Sequence, residues 1–346
     1  MACATRLTRM GDVMKPIVSV RDLAVEFHQH TGTVRALESV NLDLYPGRVL
    51  GVVGESGCGK SVTARAMLRI LDRNGSITAG RVTLDPGTPE EQDLTALPSE
   101  GSQIRAVRGG RIGLIFQEPM ASLSMQYTVG NQMIEAIRAH RDPGKHAARE
   151  RAIALLHQVG IPRPETRIDA YPFQLSGGLR QRVGIALALA AEPDVLIADE
   201  PTTALDVTTQ AQILALLRRL QRDKHIALML ITHDMGVIAQ MADDVAVMYL
   251  GRIIEFAPVR ELFRSPRHPY TRALLRSVPD LDAKPRQRLA TIGGAVPQPG
   301  SRPPIGCPFH PRCPEVMPGR CDVTIPAPVS PGVAGASCFL VEDLVA

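Results

Sequence analysis

The chain has 346 residues, more than one common domain size, which calls for a main domain with an appendix. Its 39 Lys and Arg stand against 35 Asp and Glu, a net charge of only +4, and with no Trp and few other aromatic residues nothing suggests a nucleic-acid partner. The longest apolar run, 183–191, stops at Glu192 and Pro193, far short of a bilayer crossing, and the polar start MACATRLTRMGDVMKP has no secretory core. The expectation is a chain that works in the cytoplasm, disordered over residues 1–16 and ordered from about Ile17.

Residues 17–44 alternate in the manner of an early antiparallel sheet, with a turn at 30–32. Val49–Val53, VLGVV, is a short, mostly β-branched run that predicts a buried strand, and 62–71, VTARAMLRIL, has helical spacing. Between them residues 54–61, GESGCGKS, fit the phosphate-loop pattern G-x-x-x-x-G-K-S/T. Gly54, Gly57 and Gly59 let backbone N–H groups turn inward around phosphate oxygens, Lys60 reaches the β and γ phosphates, and the Ser61 hydroxyl takes a Mg²⁺ position. Glu55, Ser56, Cys58 and Val62 complete the candidate nucleotide-binding segment, Cys58 as a small filler. Strand, loop and helix follow one another so that loop amides and helix dipole converge on one anion, and a nucleoside triphosphate is the expected ligand.

Residues 85–110, rich in Pro, Gly, Ser and Glu, read as a surface insertion before a strand at 111–116, which Gln117 follows. The stretch 118–190 looks helical, with helices at Val129–His140 and 146–159. It carries LSGGLRQR at 175–182, where Ser176, Gly177 and Gly178 precede an amphipathic helix and form a second possible anion-binding N-terminus. Residues 195–198 suit a strand buried on both faces of a parallel sheet. They deliver Asp199 and Glu200 at its carboxyl end, where open α/β sheets bind ligands. Asp199 would hold Mg²⁺, directly or through water, and Glu200 would polarise or deprotonate an attacking water. A helix at 208–221 and a strand at 226–231 return the chain to the core, with His233 beyond.

In this order the motifs resemble those of the ATP-binding-cassette (ABC) ATPases, and the resemblance covers residues from about 17 to 262. It implies an α/β P-loop fold: a parallel-sheet core, an antiparallel β subdomain, and a helical subdomain at 118–190 carrying the signature sequence LSGGLRQR. It also implies that Ser176, Gly177 and Gly178 contact the γ-phosphate of ATP held by a second cassette. Gln117 corresponds to the loop glutamine that senses Mg²⁺ and water and touches a membrane subunit. Thr203 to Asp206, TALD, resembles the loop across the dimer seam, His233 the switch histidine at the γ-phosphate, and Phe27 in LAVEF the aromatic that stacks on adenine. Leu179 departs from the pattern, since many members carry Gln there; little loss is expected because the phosphate contacts come from the preceding Ser and Gly backbone.

Beyond residue 262 the composition shifts to Pro, Arg and Gly. SPRHPYTRALLRSVP at 265–279 and GCPFHPRC at 306–313 resemble the C-terminal extension of ATPases of the oligopeptide and dipeptide importer group, here 263–346. That resemblance implies an ATP-hydrolysing subunit peripheral to the cytoplasmic face of the cell (inner) membrane. It would be paired with a related ABC ATPase subunit and two transmembrane permease subunits, and served by an extracytoplasmic substrate-binding protein. Peptides are the leading substrate, nickel and oligosaccharides are runners-up, and a soluble non-transport ABC ATPase is a more distant alternative.

Of six cysteines, four fall in the last 40 residues: Cys307, Cys313, Cys321 and Cys338. Disulfides do not suit a reducing cytosol, and four thiols in a Pro-rich tail too small for its own core suggest a metal staple. The tight C-x2-C knuckles usual for Zn²⁺ are absent, whereas four cysteines also suit a 4Fe-4S cluster; free thiols are the third possibility. The resemblance favours the cluster, since members of that importer group can carry one. His268 and His310 are possible ligands in a zinc version, although nearby prolines fit a rigid turn better. With no acid, base or phosphate loop close in sequence, the cluster is expected to order the tail and to stand outside ATP hydrolysis. Cys3 falls in the disordered start.

Overall fold

The computed structural model describes residues 14–30, 32–118, 122–141, 143–278, 292–297 and 304–341. Cys3 and the rest of the N-terminal segment 1–13 lie outside them. The early alternation forms β1 (Val18–Gln29) and β2 (Gly32–Leu44), an antiparallel pair in which Val18, Val20, Leu23 and Val25 are fully buried. Next come β3 (Val49–Val53) and α1 (Lys60–Met67). The helix begins two residues before the expected start, because the loop turns into it directly at Gly59, and it ends by Leu68, after which Arg69 is left-handed (φ 56°).

The segment 85–110 departs from the surface insertion expected of it. It adds β5 (Gln92–Asp93) to β4 (Gly75–Leu84), and α2 (Ser102–Val107) follows. Leu94 and Ile104 are fully buried among the β1, β2 and β4 side chains, and the Leu94 N–H donates to the Val82 carbonyl at 2.8 Å. The Pro and Gly residues supply turns, but the few apolar residues between them dock the segment.

After β6 (Ile112–Ile115) come α3 (Val129–His140), α4 (Lys145–Gln158), the short α5 (Pro164–Arg167) and α6 (Gly177–Ala188). α3 keeps its expected bounds; the Thr128 hydroxyl caps it by accepting the Asn131 N–H at 3.2 Å. Then follow β7 (Val195–Asp199), α7 (Val207–Lys224), β8 (Ala227–Thr232), α8 (Met235–Met241), β9 (Asp244–Tyr249), β10 (Arg252–Pro258), α9 (Val259–Arg264), α10 (Pro269–Arg276) and β11 (Gly335–Ala336). Among the described residues, one sheet has the order β2-β1-β4-β5 and the other β11-β10-β9-β3-β8-β7-β6.

In the second sheet β9, β3, β8, β7 and β6 are parallel, and every residue of β3, β7 and β8 is buried. The pleat explains why. Leu196, Ala198, Leu228 and Leu230 join the core of the helical layer, while Val195, Ile197, Met229 and Ile231 join the core shared with the antiparallel sheet. Among the described residues no helix is long and apolar enough to cross a membrane.

The C-terminal segment borrows a core rather than building one. β11 pairs with β10, the Ser337 N–H donates to the Ile254 carbonyl at 2.8 Å, and Phe309, Phe339, Cys307 and Cys321 pack with Tyr249, Ile254 and Tyr270. Glu255 of β10 anchors the start of α10. It is fully buried, and its carboxylate oxygens accept the Arg267 N–H at 2.7 Å and the His268 N–H at 2.8 Å. Burial pushes this carboxyl up, opposed by those hydrogen bonds. Glu255→Leu strands both N–H groups and is expected to cost about 2–5 kcal/mol in chemical denaturation; an unchanged midpoint would show the anchor to be dispensable.

Candidate functional site

The loop 54–61 leaves the carboxyl end of β3, which lies between β8 and β9 in the sheet. Close packing and backbone conformation both demand glycine here. A Cβ on Gly54 would sit 2.1 Å from the Met248 carbonyl oxygen, and Gly59 has φ +107° with Ala36 O only 2.9 Å from where its Cβ would be. Ser56 and Gly57 are exposed at the tip, whereas Cys58 is buried and fills space, and Val62 is half-buried against the core.

Lys60 is buried, and its ammonium donates to the carbonyls of Gly54 at 2.8 Å and Glu55 at 3.0 Å. The charge therefore sits inside the curl of the loop. The Ser61 hydroxyl donates to Asp199 Oδ1 at 2.9 Å, which joins the start of α1 to the end of β7. Burial pushes the Asp199 carboxyl up against that hydrogen bond, and the adjacent Glu200 charge adds to the rise. A divalent cation placed there would favour the ionised form.

Glu200, one residue further, has a left-handed backbone (φ 45°). Its Oε2 accepts the Gln117 amide at 2.9 Å and the Thr203 hydroxyl at 3.0 Å, and its Oε1 lies 3.1 Å from His233 Nδ1. Gln117 follows β6, Thr203 follows β7 and His233 follows β8, so three successive strand ends meet on one carboxylate. Burial alone would raise the Glu200 carboxyl; the hydrogen bonds from His233 and Thr203 outweigh it, and the net direction is down. A carboxylate kept ionised and hydrogen-bonded beside an anion-binding loop can orient and deprotonate water. Thr203 was legible only as part of TALD, with no sign of its part here.

Ser176, Gly177, Gly178 and Asp206 form a second cluster. Ser176 caps α6 by accepting the Leu179 N–H at 3.4 Å, and Asp206 caps α7 by accepting the Thr209 N–H at 2.9 Å. Gly178 stands so close to α7 that a Cβ would come within 2.6 Å of Thr209 Cγ2, which fixes the two helix starts side by side. Ser176, Gly177 and Asp206 are exposed. Phe27 is half-buried in the antiparallel layer, with its ring against Gly75, where a Cβ would approach Cε1 to 2.6 Å.

Cys307, Cys313, Cys321 and Cys338 line one small cavity together with His268, Phe309, His310 and Phe339. The Cys307 N–H donates to the Cys321 carbonyl at 2.8 Å, and Cys321 Sγ accepts the Met317 N–H at 3.4 Å. Burial pushes up the thiols of Cys307 and Cys313, and that of Cys338 to about 11. His268 is driven down by burial to about 3 and, neutral, caps α10 by accepting the Tyr270 N–H at 3.0 Å on Nδ1. Among the described residues no three His, Cys, Asp or Glu side chains gather in a way that could hold a metal ion.

Residues 37–203 match the family model described as ABC transporter, and residues 254–321 that of the oligopeptide/dipeptide transporter C-terminal region. The chain is 47% identical over 305 residues to the dipeptide transport ATP-binding protein of Bacillus subtilis, covering 88% of each. It is 45% identical to the Escherichia coli dipeptide transport ATP-binding protein, over 90% of this chain and 92% of that one. A probable peptide ABC transporter ATP-binding protein of Sinorhizobium fredii is 46% identical over 95% and 96%. Among solved structures, a dimeric ATP-binding cassette, MJ0796, bound to ADP and Pi superposes with a TM-score of 0.61 at 25% identity, covering 70% of this chain and 99% of that one. CbiO1 of Clostridium perfringens, part of an ABC transporter complex, gives 0.59 at 29%, with 72% and 91% covered.

The hydrogen bonding at Glu200 predicts that its carboxyl, followed by ¹³C NMR in glutamate-labelled chain, titrates below the ordinary value of about 4.3, and that His233→Ala moves it upward. A wild-type Glu200 carboxyl at or above the ordinary value would contradict this geometry.

Proposed function

The chain belongs to the ATP-binding subunits of the ABC transporter family, in the group with the oligopeptide/dipeptide C-terminal region, and from that premise we propose that it energises import of di- or oligopeptides by hydrolysing ATP. The observation that carries this reading is that one chain joins the loop 54–61 and the Glu200 cluster to the importer-type tail. Peptides are favoured over nickel or oligosaccharides because these relatives are named for dipeptide or peptide transport.

The roles follow from position. Residues Gly54 to Val62 cradle the phosphates, and the Lys60 ammonium exchanges its two carbonyl partners for β and γ phosphate oxygens. Ser61 and Asp199, already in contact, would hold Mg²⁺ with Gln117 nearby, and bound there the ion neutralises charge on the β and γ oxygens. Glu200 takes the proton of the attacking water, and His233 contacts the γ-phosphate and orients Glu200. Phe27 stacks on adenine.

The exposed Ser176, Gly177 and Asp206, with the half-buried Gly178 between them, would meet the nucleotide of a second, related cassette, so that two ATP molecules are sandwiched between two subunits. Closure and reopening of that pair would drive two membrane permease subunits at the cytoplasmic face, fed by an extracytoplasmic binding protein. In this reading 17–262 is the cassette and 263–346 the extension.

Cys307, Cys313, Cys321 and Cys338 would hold a 4Fe-4S cluster. Support comes from the four thiols that line one cavity. The cluster would supply no step of hydrolysis; it would tie four points of a segment with little core of its own and relieve the cost of burying thiolates.

Glu200→Gln, in a complex whose partner site is also disabled, is expected to keep Mg-ATP binding and lose turnover by a factor on the order of 10² or more; near-normal hydrolysis would overturn the assignment. Protein purified without oxygen should be brown and carry about four irons and four sulfides per chain. One zinc per chain would replace the cluster with the four-thiolate alternative, and no metal would remove both.

A further inference from the structure

Glu55, second residue of the phosphate loop, is gripped from the C-terminal side of the chain. Its backbone N–H donates to the Tyr270 hydroxyl oxygen at 2.9 Å. Its carboxylate accepts both terminal nitrogens of Arg312, at 2.7 and 3.0 Å. Its carbonyl is one of the two that hold Lys60. Every polar group of Glu55 is thus engaged, and two of its partners, Tyr270 and Arg312, lie more than 200 residues away in sequence.

This ion pair is unlike those on the surface. The Arg312 side chain is only 4% exposed and that of Glu55 24%, and the contact is bidentate. Arg312 is itself fixed: Nη1 also donates to the Tyr249 hydroxyl at 3.3 Å, and Nε to the Gly293 carbonyl at 2.9 Å. Tyr249, Tyr270 and Phe309 pack ring to ring, with centroids 4.7 to 5.4 Å apart. Phe309 lines the four-cysteine cavity, and Arg312 immediately precedes Cys313. A continuous set of contacts therefore runs from that cavity to the loop.

A carboxylate inside an anion-binding loop is a liability, since it repels the phosphates the loop must hold. Arg312 cancels that charge, and together with Tyr270 it fixes the curl around Lys60. We propose that Arg312 is a positioning residue for the nucleotide site: acting through Glu55, it makes ATP affinity depend on the docked C-terminal segment. The inference rests on the reading of loop 54–61 as the ATP site.

The test measures Mg-ATP dissociation constants calorimetrically on the full chain, with folding checked by circular dichroism. Arg312→Met, which keeps bulk but removes the charge, is expected to weaken binding about tenfold, and Arg312→Lys by less. Adding Glu55→Gln to Arg312→Met removes the uncompensated carboxylate and is expected to restore affinity to within about threefold of wild type, a non-additivity that general loss of structure would not produce. Wild-type affinity in Arg312→Met, or no recovery in the double variant, would overturn the proposal. Should Arg312→Met not fold, Tyr270→Phe, which deletes only the hydroxyl, must weaken binding by about twofold or more, and unchanged affinity there overturns it equally. A wild-type chain that binds no Mg-ATP would instead bring down the functional reading, and this inference with it.

Discussion

Five parallel strands end on the same side of one sheet, and the chemistry of the chain depends on that constraint. β3 leads into the phosphate loop, β7 ends at Asp199 and is followed by Glu200, β6 is followed by Gln117, and β8 by His233. Pairing of Val53 with Thr232 and of Asp199 with Ile231 sets these ends level. Because side chains alternate across a sheet, a one-residue slip of β7 would turn Asp199 away from Ser61 and exchange the two cores that its neighbours fill. Register and catalysis are held by the same apolar packing.

The C-terminal segment is part of this arrangement. Its β11 extends the sheet beyond β10, its Phe309 and Phe339 complete a core with Tyr249 and Tyr270, and Glu255 fastens the start of α10. The four-cysteine cluster was expected to stand outside ATP hydrolysis because no acid, base or phosphate loop lies close to it in sequence. In space Tyr270 and Arg312 touch Glu55 within the phosphate loop. Under the proposed reading of the loop, these contacts would give the tail a physical means of acting on nucleotide binding, beyond ordering itself.

What was legible in the sequence was local. The continuous apolar runs of β3, β7 and β8 announce strands buried on both faces, the glycines and Lys60 announce an anion loop, and Val129–His140 reads as a helix with the bounds it has in the structure. Asp199 and Glu200 were named from their place at a strand end, Ser61 from the loop pattern, and Gln117 and His233 from the resemblance, and these side chains do meet, at Ser61 and at Glu200. Segment 85–110 was misjudged because composition hid Leu94 and Ile104, two residues whose burial decides its path. The Glu55 grip had no local sign at all, since a pair formed between residues 55 and 312 leaves no periodicity or spacing in either neighbourhood.

The central claim is that loop 54–61 is this chain's own nucleotide site while Ser176 serves the nucleotide of a partner cassette. Its most direct test is the Mg-ATP affinity of the isolated chain for two variants side by side. Lys60→Ala removes a charge-assisted phosphate contact and should weaken binding strongly, whereas Ser176→Arg should bind as wild type yet fail to close over the partner's ATP. Equal loss of affinity in both would contradict the account.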